Sequence, residues 1–383
     1  MQIPSLDVLR NRQTRKWTVY DDDVIPLWIA ESDFATAEPV HAAIQDAVDR
    51  EAFGYSPAGD ELQHALSDFY ADRFGWRPDP ARIFAVPDVV RGLMLSVKYL
   101  TRPGSSVIVP TPAYMPFLDL PEAAGREMVT VDSYNGLDLA EVEREFAGGA
   151  GSLVLCSPHN PLGYTYTEDF LHELVALADK YDARILADEI HAPLQYEGTH
   201  LPVANISELA ARVCITVTAT SKAWNIAGLK CAQVIFSNDD DVDAWQQLNG
   251  VIKDGVGTLG VFAATACYSE GREFLDQQVA YLRDNRDWLV ENLPARVPGL
   301  QVSNPVATYL MWLDFSGTAL PEEYKDRPAT WLRQHAKVAM NEGVTFGQGG
   351  KGCARLNFAT SRELLEEAVD RIATAIGQAE DAG

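Results

Sequence analysis

Thr216-Val-Thr-Ala-Thr-Ser-Lys222-Ala-Trp-Asn-Ile-Ala-Gly-Leu-Lys230 is the stretch on which the reading of this chain turns. A β-branched apolar run ends in small hydroxyl residues, then a lysine, then a turn of small residues. The run predicts a buried strand over Val213–Val217. Lys222 then stands just past the carboxyl end of that strand, against apolar neighbours. Desolvation there disfavours the ammonium form and makes the amine available as a nucleophile toward a carbonyl. An isolated lysine after a strand is far more often a plain surface residue, so neighbouring segments must decide.

Working outward, Val107–Val109, Leu153–Cys156, Arg184–Ala187 and Ala232–Phe236 are runs of the same kind. Between two of them, Glu168–Tyr181 places Phe170, Leu171, Leu174, Leu177 and Ala178 at helical spacing. Strand, helix, strand implies right-handed crossovers and a mostly parallel sheet. Ligands on such sheets bind beyond the carboxyl ends of the strands. The last third changes character. Helical patterns over Arg272–Asn292, Trp331–Asn341 and Arg362–Gln378 flank strand candidates Thr308–Asp314 and Ala354–Ala359. The 383 residues are too many for one ordinary core. We expect a large domain over 41–275 with the mostly parallel sheet and a smaller α+β domain over 276–383. Residues 1–40 are too few to fold alone and should pack with the smaller domain.

Four strand ends besides that of Lys222 carry candidate chemistry. Asp188, in Ile185-Leu-Ala-Asp188-Glu-Ile-His191, could pair with a cationic ring nitrogen, or simply cap the helix or loop after it. Asn160, in Leu155-Cys-Ser-Pro-His-Asn160-Pro-Leu-Gly163, sits in a turn stiffened by two prolines and could donate to a ligand oxygen. Val86-Pro-Asp-Val-Val-Arg91-Gly opens a helix whose free N–H groups suit a phosphate. Tyr114, in Pro110-Thr-Pro-Ala-Tyr114, could stack on an aromatic ligand or fill the core. Arg355, inside the apolar run Ala354–Ala359, needs a planar anion, either a substrate carboxylate or one of the many acidic side chains. Gly350-Lys351-Gly352 lacks the Ser or Thr of a nucleotide-binding loop and is discounted.

Composition narrows the partners. Lys+Arg 31 against Asp+Glu 55 gives a net charge of −24, which repels nucleic acid and anionic membranes. Five cysteines without a CxxC pair suit a reduced compartment. The first residues contain no continuous apolar stretch and no span reaches membrane length, so a cytoplasmic protein is expected.

Taken in order, these motifs resemble the class I/II aminotransferase-like enzymes that use pyridoxal phosphate, and most of all the MalY/PatB-type C–S lyases (cystathionine β-lyase, cystalysin). Pro26-Leu-Trp-Ile-Ala-Glu-Ser-Asp-Phe34 resembles that subfamily's PMWVADMDF, Phe53-Gly-Tyr55 its FGY, and Asp188-Glu-Ile-His191 its DEIH. Ser221-Lys-Ala-Trp-Asn-Ile-Ala-Gly-Leu229 resembles SKTFNIAGL, Ala307-Thr-Tyr-Leu-Met-Trp-Leu-Asp314 resembles GTYLAWLD, and Arg355-Leu-Asn-Phe-Ala359 resembles RLNFA. The similar segments run from residue 26 to residue 359.

The resemblance implies the aspartate aminotransferase fold and a homodimer with shared active sites. It implies that Lys222 bonds covalently to the cofactor and later moves the Cα proton, and that Asp188 pairs with the pyridine nitrogen. Asn160 would meet the cofactor's phenolic oxygen, His191 would also bind the cofactor, and Tyr114 would stack on the ring and assist catalysis. Backbone at Val90 and Arg91, with Ser221 and Lys230, would hold the phosphate, joined by Tyr55 from the neighbouring subunit. Arg355 would take the substrate α-carboxylate, with Ala30, Asn160 and Trp224 also at the substrate. The implied reaction is β-elimination from sulfur amino acids. An aminotransferase is the alternative, and a regulatory binding protein on the same fold a third reading. Glu31-Ser32 stand for the family's Asp-Met, Arg91 for Pro, Trp224 for Phe and Pro193 for Asp, departures that could reshape the pocket.

Overall fold

Successive residues along the central strands point alternately into two separate cores. Leu153, Leu155, Ile185 and Ala187 face one core, while Val154, Cys156, Leu186 and Val217 face the other. A sheet covered on both faces needs apolar residues at every position, which explains the unbroken runs in the sequence. The computed structural model describes residues 1–382. Its main sheet has seven strands in the order Ile83–Val86, Ala232–Ile235, Cys214–Thr218, Arg184–Asp188, Ser152–Cys156, Val107–Thr111 and Met128–Asp132. Only Ala232–Ile235 runs against its neighbours. That reversal has a consequence for the site: it brings Lys230 and Cys231 to the same edge as the carboxyl ends of the other strands.

Helices Val89–Leu100 and Met115–Ala123 cover one face, and Leu139–Ala147, Glu168–Lys180 and Thr258–Glu270 supply the other core. Gly92 allows the first of these to sit close. A Cβ there would come within 2.9 Å of the Val217 side chain, so a larger residue would lift the start of the helix off the sheet.

A second, antiparallel sheet follows the order Asn341–Glu342, Cys353–Asn357, Leu310–Asp314, Gln301–Val302. The N-terminal segment is tied to this end of the chain. Ile25–Pro26 pairs in parallel with Val338–Ala339, and the Leu27 carbonyl accepts from the Asn357 amide at 3.0 Å. A buried ion pair, Lys16 Nζ to Asp33 Oδ2 at 2.7 Å, closes the same segment.

The expected helix over Trp331–Asn341 is corrected. The helix spans Pro328–His335, and Val338–Ala339 and Asn341–Glu342 are short strands. Lys337 adopts a positive φ of 54° and breaks the helical path, and its carbonyl accepts from the Ile25 amide at 2.8 Å. Backbone pairing with a distant segment therefore overrides the local helical spacing. All five cysteines are buried and unpaired. Among the described residues, no helix is long and apolar enough to cross a membrane.

Candidate active site

A cavity of about 410 Å³ opens at the carboxyl edge of the main sheet. Its walls come from strand ends that are far apart in sequence. Tyr114 follows Val107–Thr111, Asn160 follows Ser152–Cys156, and Asp188 ends Arg184–Asp188 with His191 just beyond. Ser221 and Lys222 follow Cys214–Thr218, and Lys230 enters from the reversed strand. Ala30 closes the cavity from the N-terminal segment.

The Lys222 amine is enclosed and donates to the Ala30 carbonyl at 3.1 Å. Burial, reinforced by the Arg355 charge, pulls its pKa down to about 8, against the opposing influence of Glu31 and Asp188. Across the cavity, burial pushes the Asp188 carboxyl up to about 7, although the Ile190 amide donates to its Oδ1 at 3.0 Å. That bond is the local cap foreseen as the plain reading, and it uses one oxygen. His191 is buried with Nδ1 lacking any partner, and burial holds it down near 3, so the ring is neutral.

Arg355 lies on the second sheet, buried, with its guanidinium over the Phe346 ring at 5.0 Å. It donates to Asn160 Oδ1 at 2.9 Å, to Asn341 Oδ1 at 2.6 Å and to the Trp28 carbonyl at 3.2 Å. Nε has no partner, and among the described residues no carboxylate pairs with the guanidinium. The acidic-partner reading of Arg355 therefore has no counterpart in the structure. Burial lowers its pKa to about 10, which marks how strongly the site calls for an anion.

At the start of helix Val89–Leu100, the cap residue Asp88 accepts from the Arg91 amide at 2.8 Å and from Lys230 Nζ at 2.7 Å. The Arg91 amide, expected with that of Val90 at a phosphate, here meets the Asp88 cap. Its N–H is spent on the cap, and its side chain donates to the Ile252 carbonyl at 2.8 Å. Val89 and Val90 line the cavity instead, at the first two helical positions, where amides lack intrahelical acceptors.

Trp224 is also corrected. Its indole is buried in the core against Phe69 and Tyr268, and Nε1 donates to the Gly271 carbonyl at 3.0 Å. The turn after Lys222 folds it beneath the cavity, where a large ring finds apolar cover. Tyr55 stands apart as well, fully exposed on a loop that Thr258 holds by donating to the Gly54 carbonyl at 2.8 Å. It borders a separate surface cavity of about 710 Å³. Sequence reasoning missed Asp88 as a site residue, although an aspartate immediately before a helix is a capping signal. It also missed Tyr309, whose hydroxyl donates to the Ala30 carbonyl at 3.0 Å.

The cavity thus asks for a ligand with a carbonyl for an amine, a cation for a buried carboxylate, and an anion for a helix start.

Comparisons with known proteins find both C–S lyases and aminotransferases among the relatives. The family model for aminotransferase class I and II matches residues 22–372. A cystathionine beta-lyase of Corynebacterium glutamicum is 53% identical over 376 residues, covering 98% of this chain and 100% of the relative. A crystal structure from Corynebacterium diphtheriae, to which a PLP-dependent beta-cystathionase function has been assigned, superimposes with a TM-score of 0.96. It is 54% identical, with 98% of this chain and 99% of the other covered. Cystalysin from Treponema denticola, whose crystal structure contains pyridoxal 5'-phosphate, gives a TM-score of 0.89 at 26% identity, covering 96% and 97% of the two chains.

Proposed function

The chain belongs to the aminotransferase class I and II family, and from that premise we propose that its cavity performs pyridoxal phosphate-dependent β-elimination. The substrates are water and an amino acid with sulfur on Cβ, and the products are a thiol, pyruvate and ammonia. The observation that carries this reading is one pair of groups in one cavity. Burial moves the Lys222 amine down to about 8 and the Asp188 carboxyl up to about 7, so each sits near neutrality and lacks its counterpart.

Pyridoxal phosphate fits those demands. Its aldehyde suits Lys222, its ring nitrogen suits Asp188, and its phosphate suits the Val89 and Val90 amides with Ser221 and Lys230. When bound, it supplies an electron sink for the pair released as the Cα–H bond breaks. The remaining steps fall to side chains. Asp188, offered a cation, returns to its carboxylate form and keeps that ring nitrogen protonated. Asn160, held by Arg355 through Oδ1, keeps its NH₂ free to donate. The Tyr114 ring, on the cavity wall, would stack on the cofactor. Arg355 would take the substrate α-carboxylate, the anion its own surroundings do not provide. Lys222, as the free amine, would accept the Cα proton. Protonated, it would deliver a proton to the departing sulfur, a task Tyr114 could share.

The homodimer is part of the same proposal. A tyrosine as exposed as Tyr55, on a braced loop beside a surface cavity, supports its reaching a neighbouring subunit. So is the division near residues 40 and 275, supported by one sheet lying within 83–235 and the other within 301–357. A cytoplasmic location is supported by five unpaired thiols.

The test is to supply cystathionine with no 2-oxo acid and follow pyruvate and free thiol. Sustained turnover is expected. Turnover that requires an added 2-oxo acid, with the amino group moving onto it, would establish an aminotransferase instead.

A further inference from the structure

The Ala30 carbonyl accepts two donors at once: Lys222 Nζ at 3.1 Å and the Tyr309 hydroxyl at 3.0 Å. Its direction is fixed from both sides. Asn357 Nδ2 donates to the preceding carbonyl, Ile29, at 2.6 Å and to the following one, Glu31, at 2.7 Å. Tyr309 itself is fully buried, its ring near-perpendicular to His191 at 6.1 Å. A phenol in a packed core needs an acceptor, but this one uses the oxygen that also holds the reactive amine.

We infer that Tyr309 is a positioning residue for Lys222, sharing the Ala30 carbonyl so that this oxygen holds the lysine's proton less firmly. The inference rests on reading Lys222 as the reactive amine. A carbonyl oxygen has two lone pairs, and a hydrogen bond to the charged form of a group favours that form. An acceptor divided between an ammonium and a phenol favours the ammonium less than one committed to it alone. The other groups facing the pair are set. Arg355 opposes the lysine's charge, Glu31 and Asp188 favour it, and Tyr114 and His191 complete the surround. None of these is altered by removing one hydroxyl from Tyr309.

Tyr309→Phe keeps the ring and removes the donor. Its Lys222 should then titrate higher by on the order of one pH unit, the size of a net hydrogen bond. The first measurement uses cofactor-free protein and limiting fluorodinitrobenzene, with labelling of Lys222 read by peptide mass across pH. The labelling midpoint should lie higher in Tyr309→Phe, and Tyr309→Leu should move in the same sense. The second is the pH profile of kcat with cystathionine. The variant should lose up to about tenfold on the acidic limb, recover at alkaline pH, and keep its KM. Equal labelling midpoints, or a deficit in kcat that is the same at every pH, would overturn the inference. A wild type in which Lys222 never bonds to the cofactor would instead remove the site reading, and the labelling midpoints would still decide the part played by Tyr309.

Discussion

Arg355 donates to Asn160 Oδ1 at 2.9 Å and so fixes which end of that amide faces the cavity. One residue on the second sheet thereby orients another at a strand end of the first. Truncating Arg355 to Ala removes both the anion site and this control. The expected cost is on the order of 2–5 kcal/mol in kcat/KM for cystathionine, because a desolvated carboxylate loses its partner. Arg355→Lys should recover little, since an ammonium lacks the planar fork that grips a carboxylate bidentately while also reaching Asn160 and Asn341. Steady-state kinetics of the two variants checks this, and a lysine variant close to wild type would contradict it.

Lys222→Ala should abolish turnover and leave a folded protein. Borohydride reduction of the wild type, followed by peptide mapping, should place the cofactor on Lys222. An adduct on another lysine would end the assignment.

Asp188 gives a prediction about stability and pH. Its folded pKa of about 7 lies above the ordinary carboxylate value, so the folded state binds the proton more tightly than the unfolded chain. The stability contributed by that proton is fully present below about pH 4 and is lost as pH rises through about 7. In cofactor-free protein, Asp188→Asn should therefore gain on the order of 4 kcal/mol over wild type at pH 8 and little at pH 4. The same variant should hold the cofactor less tightly. Urea unfolding at the two pH values is the measurement, and a gain independent of pH would show that Asp188 is charged in both states.

Mixing Lys222→Ala with Tyr55→Ala should restore part of the activity. With sites shared across the proposed homodimer, each parent variant would be inactive, while a hybrid would carry one site with both residues intact. Up to about a quarter of wild-type activity is expected from random exchange, if half the dimers are hybrid and half their sites are whole. No recovery after subunit exchange, or a fully active monomer, would argue against shared sites.

Much of this site was legible because buried strands announce themselves by composition and their ends then locate the chemistry. Lys222, Asp188, Asn160 and Tyr114 all stand at or just past the end of an apolar run, and all reach one cavity. Lys230 was placed only by resemblance. The reversal of Ala232–Ile235 that brings it in leaves no mark on a run buried on both faces. Trp224 was misplaced because a residue two positions from a reactive lysine can turn either way, and its size drew it into the core. Val90 and Arg91 are both expected at the phosphate, and the sequence does not show that the Asp88 cap takes the Arg91 amide. The strands at Val338–Ala339 and Asn341–Glu342 were hidden for a different reason. Their backbone partners, Ile25–Pro26 and Cys353–Asn357, lie outside any local window.

The pairing of Ile25–Pro26 with Val338–Ala339 also bears on how the protein is made. Ala30 is made well before the strand beside its segment, Val338–Ala339, and before Asn357, which clamps its neighbours. The strands that end at Asp188 and before Lys222 are likewise made before residues 338–357. The Ala30 wall of the cavity is complete only once residues 25–31 meet residues 338–357, so the oxygen that receives the lysine is fixed by a segment made later than the lysine itself. A chain cut short before residue 338 would lack the strand and the clamp that hold this oxygen against the lysine.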